Sequence, residues 1–215
     1  KVEGALTGAI LAVTRDRQAV VRFATGHGER DEQAANEAGL SRLVEALSLQ
    51  DVQVQRWDAL GAKEVPAGTD LVVVAAPTSP WLPTERDALA AYLQQGGRAL
   101  LLLEPVLRQD GGMVATGLEP LLTNWGVSAD ADIVIDPKHG PAFFGAGSLF
   151  APTLGLHPVT SSLGAQPVLF VLARSVTSSN PAPAGVEVHA LVETYPDAWG
   201  ETDLKNLENI RRDEN

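Results

Sequence analysis

Along the chain the apolar positions switch between a helical and a strand period, and the switches mark out the elements. Leu6, Ile10 and Val13 stand at i, i+4 and i+7 and predict a one-faced helix to about Thr14, broken by Asp16-Arg17-Gln18. Ala19 to Thr25, with Val20, Val21 and Phe23, predicts a first strand. The loop Gly26-His27-Gly28-Glu29 and a polar stretch to Gly39 follow it. Leu40, Leu43, Val44 and Leu47 predict a core-facing helix, and the alternation over Val52 to Trp57 predicts a half-exposed strand at or near a sheet edge. Leu71 to Ala76 is an unbroken apolar run closed by Pro77, and Ala99 to Leu103 is another, closed by Glu104-Pro105. Such runs predict adjacent central strands of a parallel sheet, buried on both faces. Between them Thr84 and Asp87 resemble a capping box, Leu89, Tyr92 and Leu93 make a helical stripe, and Gly96-Gly97 ends it. Leu118, Leu121, Leu122 and Trp125 predict a further short helix with Trp125 in the core, ended by Gly126, and Ile133-Val134-Ile135 predicts a further strand.

Strands alternating with helices, several of them wholly apolar, predict an α/β fold with a mostly parallel, doubly wound sheet built from residues 1–137. From Lys138 the texture changes: Gly and Pro are dense through Pro158, and Pro167 to Ala173 and Val186 to Val192 predict two later strands around the loop Ser178 to Gly185. Residues 138–200 are expected to form an extension or small lobe packed on that core. Residues 201–215 read as a tail leading to a linker or membrane segment beyond the sequence.

Composition narrows the partners. With 215 residues, 45% hydrophobic and 20% charged, the chain is in the globular range and long enough for one substantial core. A net charge of −11 and the lack of any clustered Lys/Arg excess argue against a phosphate backbone; Arg211-Arg212 is isolated beside Asp213 and Glu214. No cysteine is present, which excludes disulfides, thiolate zinc sites and cysteine nucleophiles and suits an oxidising compartment. No run reaches the ~18 apolar residues of a membrane span, and Gly4 to Val13 is a poor signal-peptide core behind Glu3. Beginning at Lys1 and stopping in a charged stretch, the sequence reads as part of a larger chain, with any targeting or anchoring segment outside it.

Ligands in open α/β sheets bind beyond the carboxyl ends of the strands, where the topology switches. That rule singles out Gly26, His27, Gly28 and Glu29 after the first strand, Thr78 and Ser79 after the third, and Glu104 after the fourth. His27 and Glu29 could serve as a general base with its partner, or as metal ligands. Alternatively, the glycines make a tight turn while the two side chains hydrogen-bond across loops and shape the rim. As a dinucleotide fingerprint the loop fails, because Asp31 stands where the third glycine belongs and Glu29 and Asp31 would oppose a pyrophosphate. A serine elbow also fails: Thr160-Ser161-Ser162-Leu163-Gly164 lacks its first glycine, and Gly147-Ser148 has no second. His27, Glu29, Asp31, Asp136 and His139 are too scattered to assign a metal, and Asp136-Pro137 simply marks a turn. His157 reads as a loop residue and His189 as a strand residue, while Trp57, Trp81, Trp125 and Trp199 are too far apart to define a sugar platform. The sequence therefore assigns no catalytic residue, no metal and no cofactor.

Several strings, in order, resemble one family. They are Leu6-Thr7-Gly8-Ala9-Ile10-Leu11-Ala12-Val13-Thr14-Arg15, Phe23-Ala24-Thr25-Gly26-His27-Gly28-Glu29, Val72 to Pro77, Gly96 to Pro105, Leu121-Leu122-Thr123-Asn124-Trp125-Gly126, His157-Pro158-Val159-Thr160 and Ala198-Trp199-Gly200-Glu201. The succession is similar to the soluble domain of ABC-transporter auxiliary proteins of the gliding-motility type, components of an uncharacterised transport system. The resemblance implies a flavodoxin-like, class I glutamine-amidotransferase-like fold, shared with the corresponding domains of intraflagellar transport proteins. It implies an extracytoplasmic, membrane-anchored location, held between transmembrane helices beside a permease and an ATPase. Catalytic members of that wider fold carry a Cys after a central strand; here the strand runs into Glu104-Pro105 and no thiol exists. Glu104 stands where many relatives carry Asp, which keeps the charge. The expectation is a non-catalytic domain that binds a partner or ligand in a transport complex. The alternative is an enzyme or small-molecule sensor using a His27/Glu29 crevice.

Overall fold

The structure, a computed structural model, describes residues 13, 17–140, 147–151, 153–154, 157–164, 166 and 168–205. The helix expected over Leu6 to Thr14 and the end of the tail lie outside the described residues, apart from Val13. The chain forms two compact units. The first runs to Leu103 and takes in Thr116–Leu118; the second holds Glu104–Ala115 and the residues from Glu119 onward.

In the first unit the elements follow as β1 (Ala19–Thr25), α1 (Ser41–Ser48), β2 (Val52–Asp58), β3 (Leu71–Ala75), α2 (Pro83–Gln94) and β4 (Ala99–Leu102). The four strands form one parallel sheet in the order β2-β1-β3-β4. Parallel neighbours require a crossover, and α1 and α2 supply two of them. From β1 the chain steps to one side for β2, then returns past β1 to place β3 and β4 on the other. The switch point therefore falls between the carboxyl ends of β1 and β3.

Val21, Phe23, Val73 and Ala75 are buried on one face of the sheet and packed by Leu40, Leu43, Val44 and Leu47 from α1 and its N-terminal edge. The alternate residues Val72 and Val74 are fully buried as well, so β3 is enclosed on both faces, as its apolar run predicts. The expectation fails for β4. Among the described residues it is an edge strand of alternating burial, with Leu100 and Leu102 exposed. Its register places Leu100 beside Val73 and Leu102 beside Ala75, on the face that α1 covers only over the strands beside it. An apolar run alone does not distinguish a central strand from an edge strand.

The second unit is built from short antiparallel ladders. Its elements are α3 (Glu119–Asn124), β5 (Val127–Ala129), β6 (Ile133–Ile135), β7 (Ser148–Ala151), β8 (Thr153–Leu154), α4 (Pro158–Ser161), β9 (Val168–Val171), β10 (Val176–Ser178), β11 (Val192–Glu193) and β12 (Trp199–Glu201). The pairs are β5 with β10, β6 with β12, β7 with β9 and β8 with β11. Ile133, Ile135 and Leu204 form its core with Met113 and Trp199 packed against them. The units thus divide at Leu103/Glu104, whereas the sequence suggests a boundary near residue 137. β6 pairs antiparallel with β12 and does not extend the parallel sheet. Trp125 is exposed, because α3 ends at Asn124 and the indole belongs to the turn that follows. Of the strand expected over Val186 to Val192, only Val192 is in a ladder.

Candidate functional site

β1 and β3 deliver two loops to the switch point, and their backbones are tied directly. The His27 carbonyl accepts from the Thr78 and Ser79 amides, at 2.9 and 3.0 Å, and the Arg30 amide donates to the Ala75 carbonyl at 2.9 Å. Gly28 makes the approach feasible. Its φ is +76°, and a Cβ there would lie 2.0 Å from Thr78 Oγ1, so conformation and space both demand glycine. Gly26, at φ +117°, approaches Leu60 on the loop after β2 in the same way.

Beneath this backbone lies a closed polar cluster. The His27 side chain is 3% exposed, Glu29 1% and Glu85 0%. Glu29 folds back to accept from its neighbour's His27 amide at 2.7 Å, and also from Trp81 Nε1 at 3.2 Å. The His27 ring stacks on Trp81 with centroids 5.2 Å apart, and Trp81 meets Trp57 edge-on at 5.9 Å. His27 Nε2 is 2.9 Å from Glu85 Oε2, and Nδ1 is 3.6 Å from Glu29 Oε1. The Nδ1 contact lies beyond hydrogen-bond distance and neither ring nitrogen makes a well-formed hydrogen bond, so the ring is held chiefly by packing against Trp81 and the two carboxylates.

Glu85 connects the cluster to two further segments. Its carboxylate accepts from the Gly61 amide at 2.7 Å and from the Leu82 amide at 2.6 Å. Burial pushes this carboxyl up, but the Gly61 and Leu82 amides and the His27 ring outweigh it, leaving Glu85 below the usual carboxylate range. The Leu82 bond also corrects the reading of the helix start. The N-cap of α2 is Leu82, Pro83 is the first helical residue, and Glu85 is the residue reaching back; Thr84 and Asp87 do not form the box.

Of the residues singled out by sequence, Gly26, His27, Gly28, Glu29, Thr78 and Ser79 come together, the last two chiefly through their backbone amides. Glu104 is exposed and lies in the second unit, outside the unit that carries this cluster. Asp31 is occupied elsewhere, accepting from Arg56 Nη2 and the Gln33 amide, each at 2.8 Å. The sequence reading missed Glu85, Trp81 and Gly61. The Leu82-Pro83-Thr84-Glu85 string carried a usable signal for Glu85, since Pro at the first helical position and Glu two residues on mark an N-terminus. Trp57 and Trp81 do meet, but buried, so they offer no platform.

In the second unit, Asp136 and His139 form a separate pair. The buried Asp136 carboxylate accepts from the Lys138 and His139 amides and meets His139 Nδ1 at 2.9 Å, while the His139 ring stacks on Tyr195 at 3.6 Å. This is the turn that Asp136-Pro137 predicts.

A family model described as an ABC-type uncharacterized transport system, the transporter-auxiliary family, matches residues 18–214. The chain belongs to that family. Its members are auxiliary components of ABC-type transport systems, and the match takes in most of both units. Among solved structures, the mmIFT52 N-terminal domain is similar at a TM-score of 0.62 and 18% identity, over 83% of this chain and 74% of that one. At that identity the likeness concerns the fold alone. No curated protein matches the chain. Among the described residues of this transport-family chain, no helix is long and apolar enough to cross a membrane.

Proposed function

We propose that this chain is a non-catalytic, extracytoplasmic domain of its transport system, engaging a partner or ligand beside the permease and ATPase, with membrane anchoring supplied by segments outside the sequence. The rim of its parallel sheet then serves as scaffold. The observation that carries this reading is the closure of the switch-point cluster. His27, Glu29 and Glu85 are buried, and the Glu29 and Glu85 carboxylates are committed to holding four segments together: the loops after β1, β2 and β3 and the start of α2. A general base or ligand-binding histidine needs an open face toward its substrate, and this ring is covered by Trp81 and two carboxylates. The absence of cysteine agrees with an oxidising compartment. We further read the parallel sheet as flavodoxin-like, in the glutamine-amidotransferase-like group without its thiol, and the transport system as related to the gliding-motility type.

The test is co-purification. From membranes solubilised in mild detergent, the full-length protein should bring down the permease and ATPase of the same transport system, and a His27→Ala variant that remains folded should alter that recovery without abolishing a turnover. Recovery of neither subunit, or activity of a cytoplasm-only reporter inserted within this domain, would refute the proposal. The enzyme or sensor alternative requires the cluster to open; a small molecule whose binding is lost in His27→Ala would favour it.

A further inference from the structure

We propose that the chain associates with a second copy of itself through β4, as a two-fold dimer that joins two four-stranded sheets into one. Among the described residues β4 pairs with β3 alone, so one of its sides carries no strand. The Arg98 and Leu102 carbonyls accept from the Val72 and Ala76 amides, at 2.9 and 2.7 Å. Backbone direction alternates along a strand, so Ala99, Leu101 and Leu103 turn their amides and carbonyls to the open side. Charged side chains or proline ordinarily blunt such an edge. β2, at the other edge of the sheet, follows that rule, with Gln53, Arg56 and Asp58 exposed. β4 does not: Ala99 to Leu103 holds no charged residue and no proline.

The order of the exposed residues identifies the occupant. From Arg98 to Glu104 exposure alternates without a break: Arg98, Leu100, Leu102 and Glu104 are exposed, while Ala99, Leu101 and Leu103 are half-buried. Glu104 precedes Pro105, which favours continued extended backbone. The exposed face therefore reads cation, leucine, leucine, anion, which is its own complement when a second copy runs antiparallel. With Leu101 on the two-fold axis, Arg98 stands opposite the partner's Glu104 and Leu100 opposite the partner's Leu102. The same register sets Ala99 opposite the partner's Leu103, so the outward amides and carbonyls meet one another. Leu100 and Leu102 then fall at non-hydrogen-bonded positions, where Cα atoms approach to about 4.5 Å and side chains are closest.

Other registers are poorer. A shift by one residue turns the hydrogen-bonding groups away from each other, and a shift by two breaks both charge pairs. Glu104 already has a contact within its own chain, and a carboxylate has acceptor sites for a second donor. Each copy carries a net charge of −11, so association depends on this local match, long-range repulsion being screened beyond ~8–10 Å at ordinary salt. A strand from another protein could use the same backbone groups, but a second copy necessarily presents the matching order of charges.

The experiment measures association of the full chain by sedimentation equilibrium over a dilution series. We expect a monomer–dimer equilibrium, weakened roughly tenfold or more by each of Arg98→Glu, Glu104→Arg and Leu102→Lys. An equimolar mixture of Arg98→Glu chains with Glu104→Arg chains should recover association, since each supplies the charge the other lacks; mixing would not repair a loss of fold. The chain has no cysteine, so a single Leu101→Cys reports the axis. Its two thiols, on Cα atoms about 5.5 Å apart, should oxidise to a disulfide-linked dimer, whereas Gln53→Cys on β2 should not. The proposal is overturned by a chain that stays monomeric, by a dimer indifferent to the three substitutions, by a mixture no stronger than its components, or by cross-linking at Gln53→Cys and not at Leu101→Cys.

Discussion

Replacing Glu85 with alanine tests how the rim of the sheet is held. The carboxylate is fully buried and accepts from the Gly61 and Leu82 amides at 2.7 and 2.6 Å, with His27 Nε2 at 2.9 Å. Hydrogen bonds to a charged group contribute about 1.5–3 kcal/mol each, and deletion also leaves the imidazole facing a void. Gly61 and Leu82 are themselves exposed, so water can re-satisfy part of what is lost, and the low end applies. Two bonds at that end give about 3 kcal/mol for Glu85→Ala. Glu85→Gln keeps one carbonyl acceptor and should lose about half as much. Thr84→Ala and Asp87→Ala should stay within about 0.5 kcal/mol of the parent, because neither caps the helix. Urea unfolding followed by tryptophan fluorescence reads the site directly when Trp125 and Trp199 of the second unit are first changed to Phe, since Trp81 stacks on His27 and touches Trp57. An alanine variant within about 0.5 kcal/mol of the parent, or a larger loss at Asp87 than at Glu85, would refute the reasoning.

Three other perturbations follow from the same geometry. Gly28→Val should cost well over 1 kcal/mol in urea unfolding, since φ is +76° and the added Cβ meets Thr78 Oγ1; a neutral outcome would show that the two loops do not need their close approach. Val73→Asp should cost several kcal/mol or prevent folding, as an unpaired charge would sit between α1 and the sheet, and soluble expression with unchanged unfolding would contradict the enclosure of β3. Arg17 beside Asp70, together with the Val20 amide, lowers the Asp70 carboxyl from 3.8 to about 2. A depressed carboxyl contributes its full stability above the unfolded value and loses it as pH falls toward the folded one, here between about pH 5 and 2. The amount is at most about 2 kcal/mol and is reduced by solvent screening of the exposed Arg17. Stability measured against pH should flatten over that interval in Asp70→Asn, and an unchanged slope would remove the pair from the account.

What the sequence determined by itself was the local alternation of the first unit. Residue-level apolar periods mark β1, α1, β2, β3 and α2, because each element must bury one stripe or face, and that requirement is written into nearby residues. The same logic located the loop of Gly26 to Glu29, since a glycine-flanked turn after a strand is a local feature. Tertiary structure alone decided which strands lie at the edge: Ala99 to Leu102 and Leu71 to Ala75 are equally apolar, and only neighbour order distinguishes them. It also decided that β6 joins an antiparallel ladder, because pairing direction depends on a partner 64 to 68 residues away, from Ile135 against Trp199 to Ile133 against Glu201. The site shows the same division. His27 and Glu29 are two residues apart and could be read together, whereas Trp81 and Glu85 reach His27 from the start of α2, and Gly61 reaches Glu85 from the loop after β2. Contacts across such separations are fixed by packing after the chain has folded, and no period or spacing in a single sequence encodes them.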